Sequence, residues 1–200
     1  MMHPRTRHYL KEALIFSIMV VCMLAARSSF ADHYLVPSGS MEYTLIPGDH
    51  VLVDKMAYGL RLPFSNIKLS TGDAVRRGEV VIFDEPGSGT RLIKRAVAIG
   101  GDLVSLRDGW LTINGEPLAT GDNATTEAFG DHIARLNLSY GGGPDIRAGR
   151  VPAGMVLVIG DARGNSRDGR YFGLIPEREI YGKAISVVYR ADEGLVWKSL

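Results

Sequence analysis

The chain has 200 residues, with 23 Lys+Arg against 22 Asp+Glu for a formal charge of +1, and one cysteine, Cys22. That length holds one ordinary domain with a full core and a single site. The near-neutral balance provides no sequence-wide field to draw nucleic acid, and a lone cysteine excludes an intrachain disulfide and a cysteine-rich zinc cluster.

Residues 1–12 carry Arg5, Arg7 and Lys11 ahead of the uncharged run ALIFSIMVVCMLAA, residues 13–26. Positive charge before an apolar run predicts a cytoplasmic N-terminus. The fourteen residues of the run reach about 21 Å as a helix, short of the roughly 30 Å hydrocarbon core. Continuing the helix through Ala31 brings it to about 28 Å, with Arg27 able to snorkel to the headgroups. A transmembrane anchor over 13–31 is therefore predicted. The competing reading is a removable secretory signal, because Ser29-Phe30-Ala31 has an A-x-A-like pattern before Asp32. A buried helix of a soluble fold is disfavoured by the basic flank and the absence of an amphipathic stripe.

From residue 32 to 200 the chain changes to short runs rich in Val, Ile and Leu, punctuated by Gly, Pro and Asp, which predicts a mostly β extracytoplasmic domain. HVLVDKM from His50, EVVIFD from Glu79, RLIKRAVAI from Arg91, MVLVIGD from Met155 and KAISVVYR from Lys183 read as strands. LVSLRDGWLTING from Leu103 reads as a hairpin, with turns at Asp108-Gly109 and Asn114-Gly115. These runs predict a closed or folded-over antiparallel sheet, that is, an antiparallel sheet or partly closed barrel. Between 116 and 150 the strand signal weakens and Gly141 to Gly143 follow one another. That stretch reads as a flexible arm, a tolerated surface insertion in preference to a substrate flap.

Among groups able to do chemistry, the histidines beyond the apolar run are His33, His50 and His132, none in a metal-ligand spacing with another His, Cys or carboxylate cluster. No metal is predicted, and an activated serine here needs another base. Lysine is the alternative. On a strand Lys94 shares a face with Leu92, Ala96 and Ala98, while Arg91, Ile93, Arg95, Val97 and Ile99 share the other. Taken alone it reads as an edge-strand lysine facing solvent. Burial among small apolar neighbours would instead lower its pKa and yield a neutral amine able to take a proton from serine. The polar stretch GDARGNSRDGRYFG from Gly160 is ordinary turn chemistry on its face, yet its Ser166 hydroxyl can hydrogen-bond an amine in either protonation state.

PSGSMEYTL, RGEVVIFDEP, RLIKRAVAIGGD and GDARGNSRDGRYFG, in this order behind a single apolar run between Pro37 and Gly173, resemble bacterial type I signal peptidase, a family of Ser-Lys serine endopeptidases. Each motif alone is weak; four in order are specific. The resemblance implies that Ser40 is the nucleophile and Lys94 its general base. It implies an oxyanion hole formed by the Ser38 hydroxyl and the Ser40 backbone N–H. It further implies that Ser166 orients the lysine and that Asp168 and Arg170 form an ion pair bracing their loop. Neither a metal nor an organic cofactor is implied. The implied substrates are exported preproteins, cut after small residues of the Ala-x-Ala type. The implied location is the bacterial cytoplasmic membrane, in contact with lipid, with the catalytic domain on the outer face. A nucleophile a few residues past the apolar run then lies where a translocated cleavage site emerges, which favours the anchor over the removable signal.

The sequence departs from the family pattern at Tyr43, where proline is usual, and at Ala162, Gly164 and Gly169, where Asn, Asp and Ser are common. A self-cleaving Ser-Lys repressor is disfavoured because its helical DNA-binding region is replaced by the apolar run. An anchored β-rich scaffold derived from an inactive peptidase is supported only by Tyr43 and the altered last loop, against the retention of Ser40, Lys94 and Ser166.

Overall fold

The computed structural model describes residues 4–29, 31–60, 69–70, 72–120 and 125–200. A helix α1 (Pro4–Ser29) is followed by β1 (Ala31–Leu35), β2 (His50–Asp54), β3 (Val80–Asp84), β4 (Arg91–Ile99), β5 (Leu103–Arg107) and β6 (Trp110–Ile113). Then come β7 (Glu116–Pro117), β8 (Ala119–Thr120), β9 (Thr126–Phe129), β10 (His132–Arg135), β11 (Ile146–Arg150) and β12 (Met155–Ile159). The chain ends with a one-turn helix α2 (Gly169–Phe172), β13 (Ile175–Pro176), β14 (Ile180–Arg190) and β15 (Gly194–Ser199).

Proline at the first position of α1 suits a helix start, since its missing N–H would be unpaired there anyway. The helix begins nine residues before the anchor expected over 13–31, and Ala31, expected to continue it, opens β1 instead. Among the described residues no helix is long and apolar enough to cross a membrane. Leu14, Phe16, Met19 and Met23 of α1 are all exposed.

Among the described residues the strands form three antiparallel sheets. The largest runs β1-β2-β14-β3-β4-β12-β13, with β15 added to β14; β10-β9-β8 and β11-β5-β6-β7 form the smaller two. The large sheet does not close into a barrel: β1 and β13, at its two ends, are not paired with each other. The eleven-residue β14 pairs with β2, β3 and β15, slipping register at bulges, so the ladder branches there. The β5–β6 hairpin has positive φ at both Asp108 and Gly109, the backbone that a two-residue primed turn requires.

Strand β4 lies between β3 and β12, with Val81 opposite Lys94 and Ile159 opposite Arg95. Its side chains enter all three apolar clusters. Val97 and Ala98 pack with Leu106, Leu111 and Phe129; Ile93 packs with Met41, Val53 and Ile82; Ala96 packs with Phe83 and Val158. A side chain projecting from the middle of this strand is therefore held in a dry surrounding, the fate the small neighbours of Lys94 foreshadow.

The described residues of 116–150, a stretch read from the sequence as a flexible arm, are built into this fold. They supply β7 to β11, and their Phe129, Ala134, Leu136 and Glu127 are buried. Gly142 is there for close approach: a Cβ on it would collide with the Asp108 carbonyl carbon. The short strands and many glycines blurred the alternation that marks a strand; β9 pairs with its neighbours β8 and β10, β7 with β6, and β11 reaches back to β5.

Candidate active site

The nucleophile candidate sits in a single turn of 3₁₀ helix, Gly39–Met41, entered from an extended Ser38. Its conformation is fixed from both sides. Met41 is fully buried beneath it, a burial worth roughly 1.5–3 kcal/mol. The Ser40 carbonyl accepts from Ala162 N at 3.1 Å, and the Glu42 N–H returns to the Gly39 carbonyl at 3.1 Å.

Lys94 arrives from β4. Its Nζ lies 2.7 Å from Ser40 Oγ and donates to the Ile93 carbonyl at 2.9 Å. The lysine is 3% exposed and the serine 8%. Burial lowers the Lys94 pKa from 10.5 to about 8, against an opposing pull from the Asp168 and Asp161 carboxylates. Each of those carboxylates is already paired, which limits that pull. Asp168 meets Arg170 at 2.8 Å, and Asp161 meets Arg95 at 2.6 Å. The result is an amine that is half neutral one pH step above neutrality, in contact with a hydroxyl.

Ser38 Oγ donates to Ser40 Oγ at 3.4 Å and is exposed, on the open side of the turn. Ser166 is brought to the opposite side. Gly160 separates it from the nucleophile: a Cβ there would collide with both Ser166 Oγ and the Ser40 carbonyl oxygen. Ser166 Oγ is buried and, among the described residues, has no hydrogen-bond partner. The orienting bond to Lys94 expected of Ser166 is thus replaced by one from Lys94 to the Ile93 carbonyl. The Gly160 contact has a testable consequence. Gly160→Ala is expected to displace the Ser40 main chain and reduce kcat by about 100-fold, read from initial rates on a cleavable peptide.

Asp168 and Arg170 form the buried pair expected of them. Asp168 also accepts from Gly160 N at 3.0 Å, and Arg170 reaches the carbonyls of Gly142 at 2.8 Å and Arg163 at 2.6 Å. The pair therefore ties the glycine-rich segment to the loop after β12. Tyr43, where proline is usual, carries the Arg135 guanidinium over its ring at 4.5 Å, a cation–π contact from the supposed arm.

Several residues around the site were not singled out from the sequence. Arg95 donates to Asp161, to the Gly78 carbonyl at 2.6 Å and to Thr44 Oγ1 at 2.9 Å. Arg163 and Glu127, both with wholly buried side chains, pair at 2.5 Å. Asn137 Nδ2 donates to Glu42 Oε2 at 3.0 Å. A signal existed for Arg95 and Asp161: a charge inside an apolar strand and another directly after one must be paired if buried. Glu127 and Asn137 have no such local mark.

The chain matches the family described as "Signal peptidase, peptidase S26" over residues 7–189. It is 35% identical to the signal peptidase I of Pseudomonas aeruginosa over 198 residues, covering 86% of this chain and 69% of that protein. The signal peptidase I of Pseudomonas fluorescens gives the same identity and coverage. That of Leptolyngbya laminosa is 29% identical over 191 residues, covering 91% of this chain and 81% of that protein. With a serine and a buried lysine in contact at the positions the sequence motifs single out, and a match spanning nearly its whole length, this chain belongs to the signal peptidase family S26, a family of serine endopeptidases.

Proposed function

We propose that the protein is a membrane-anchored endopeptidase that removes N-terminal signal peptides from exported preproteins with a Ser40–Lys94 dyad. The reading rests above all on the 2.7 Å approach of a buried amine to the Ser40 hydroxyl. Neutral Lys94 accepts the Ser40 proton as Oγ attacks the scissile carbonyl carbon. The oxyanion takes donors from the Ser40 N–H and the Ser38 hydroxyl; one such donor is typically worth about 2.7–4 kcal/mol. Protonated Lys94 then gives its proton to the leaving amine, the C–N bond breaks, and the new N-terminus departs. Lys94, neutral again, draws a proton from water as that water attacks the ester, and returns it to Ser40 Oγ as the signal peptide leaves. The Ile93 carbonyl steadies the amine, while Asp168 and Arg170 hold the loop that carries Ser166 beside the site. The residues before the cut are small, Ala-x-Ala most typically.

Anchoring is part of the same proposal. Leu14, Ile15, Phe16, Ile18, Met19, Val21, Met23 and Leu24 of α1 are exposed, and the basic residues before Ala13 favour a cytoplasmic N-terminus. Residues 1–12 then lie in the cytoplasm, the helix from Ala13 onward in the bacterial inner membrane among lipid, and the domain that opens with β1 on its outer face.

The test is incubation of detergent-solubilised protein with a preprotein. Cleavage after a small residue, abolished by Ser40→Ala, is the expected result; cleavage that survives Ser40→Ala removes the dyad. The rate should also rise with pH on an acid limb centred near the Lys94 pKa of about 8, because only the neutral amine accepts the proton. At pH 7 roughly one site in ten is then competent. A rate unchanged from pH 6 to pH 9 contradicts lysine as the base.

A further inference from the structure

The geometry points to Asn137 as a positioning residue for Ser40, acting through the Glu42 carboxylate; the inference rests on the Ser40–Lys94 reading above.

Asn137 follows β10 by two residues and is 4% exposed. Both ends of its side-chain amide are committed. The oxygen accepts from Ser139 N at 3.0 Å, and the nitrogen donates to Glu42 Oε2 at 3.0 Å. A backbone N–H on one side and an acceptor-only carboxylate on the other leave a single orientation of the amide. Glu42, so held, folds back over the turn that carries the nucleophile: a Cβ on Gly39 would lie 2.5 Å from Glu42 Oε1. The carboxylate therefore packs against the residue that separates Ser38 from Ser40, whose hydroxyls are 3.4 Å apart.

The main chain of Asn137 fixes the other side of the same turn. Its N–H donates to the Asp161 carbonyl at 3.0 Å and its carbonyl accepts from Arg163 N at 3.1 Å, forming a parallel bridge with Ala162. Ala162 N in turn holds the Ser40 carbonyl at 3.1 Å. Asn137 thus references Ser40 twice, through the backbone of Ala162 and through the side chain of Glu42. Small displacements of a reacting group weigh heavily on kcat, and every contact of this latch bears on the turn that carries Ser40. The signature of the latch is accordingly a loss in kcat with KM kept.

Asn137→Asp tests it cleanly. The substitution keeps shape and keeps the acceptor for Ser139 N, but sets a carboxylate against that of Glu42. Turnover of a peptide spanning an Ala-x-Ala cleavage site is expected to fall about 10- to 100-fold in kcat, with KM within about threefold of the parent. Adding Glu42→Gln reverses the polarity of the bond, the glutamine amide now donating to the carboxylate introduced at position 137, and should recover most of the lost kcat. Rates are compared at a temperature where circular dichroism reports every variant folded. A parental kcat in Asn137→Asp, or a loss that Glu42→Gln leaves unrestored, overturns the inference. Should Asn137→Asp fail to fold, Asn137→Ala carries the test. It removes the donor without adding charge, and is expected to lose about tenfold in kcat at unchanged KM; an unchanged kcat overturns the inference equally. Ser40→Ala separates the two levels. Turnover retained in that variant defeats the dyad itself, whereas an inert Ser40→Ala beside a fully active Asn137→Asp defeats only the role given to Asn137.

Discussion

Lys94→Met is expected to lower turnover by about 1,000-fold or more while leaving the protein at least as stable at neutral pH. The two halves of this expectation come from one fact, the burial of an amine. Loss of activity follows because, among the described residues, the only other group within hydrogen-bond distance of the Ser40 Oγ is the Ser38 hydroxyl, itself no base. Retention of stability follows because the fold bears a cost for keeping a charge there. A fall from 10.5 to about 8 in the pKa corresponds to roughly 3 kcal/mol disfavouring the protonated folded form. The sign is fixed by proton counting. Between pH 8 and 10.5 the unfolded chain keeps the Lys94 proton and the native protein has shed it, so parental stability rises with pH across that window and is lowest, for this group, below it. Methionine fills a similar volume with no charge, so Lys94→Met should lack that rise. Urea titrations of parent and variant at pH 7 and pH 10, alongside peptide turnover, check both halves. A variant that is inactive because it is unfolded defeats the argument from burial, and one that is active defeats the base.

The Ser40–Lys94 contact and the Asp168–Arg170 pair were legible in the sequence; the rest of the site's support was not. Ser40 and Lys94 belong to short motifs whose register is carried by strong local patterns, an apolar strand for the lysine and a Ser-Gly-Ser turn for the serine. RLIKRAVAI became β4 with the boundaries read for it, since β-branched and small residues around Lys94 suit a strand buried on both faces. The helix at the N-terminus was anticipated, but not its extent, because Arg5, Arg7 and Lys11 sit in the helix that the hydropathy argument began at Ala13. The greater miss was 116–150. Its strands are of two to five residues, too short for alternation to show, and its glycines speak for looseness until their neighbours are known. What binds Glu127, Asn137 and Gly142 into the structure is chemistry with partners far along the chain: Arg163, Glu42, Arg170 and Asp108. Local sequence carries no record of such partners. Ser166 gave the opposite outcome. The motif brought it beside Ser40, yet its hydroxyl and the Lys94 amine each follow their own surroundings.

Glu127→Ala is expected to cost about 3–5 kcal/mol of stability, a large part of the 5–15 kcal/mol that holds a typical native protein together. Glu127 lies on β9, in the segment that reads as a surface insertion, where a substitution ordinarily changes stability by no more than about 0.5 kcal/mol. Its carboxylate accepts from Arg163 Nη2 at 2.5 Å, from Arg163 Nη1 at 3.2 Å and from Leu111 N at 3.0 Å, with no solvent access to either side chain of the pair. Among the described residues, alanine leaves the buried guanidinium with only the carbonyls of Gly160 and Gly109 as partners, so a full charge loses its counter-ion where water cannot replace it. For a chain of this size the loss should lower the melting temperature by roughly 6 to 20 °C. Pairing the change with Arg163→Met removes the stranded charge and should return much of the stability, since it is the uncompensated ion rather than the absent bond that is costly. The site would register the single change too. Arg163 Nε holds the Gly160 carbonyl at 3.1 Å, and Gly160 lies against the Ser40 main chain, so kcat should drop even below the melting transition. Thermal unfolding of the single and double variants decides the matter: a Glu127→Ala protein as stable as the parent would return 116–150 to the status of a tolerated insertion, and a double variant no better than the single would mean that geometry, not charge, is what the pair provides.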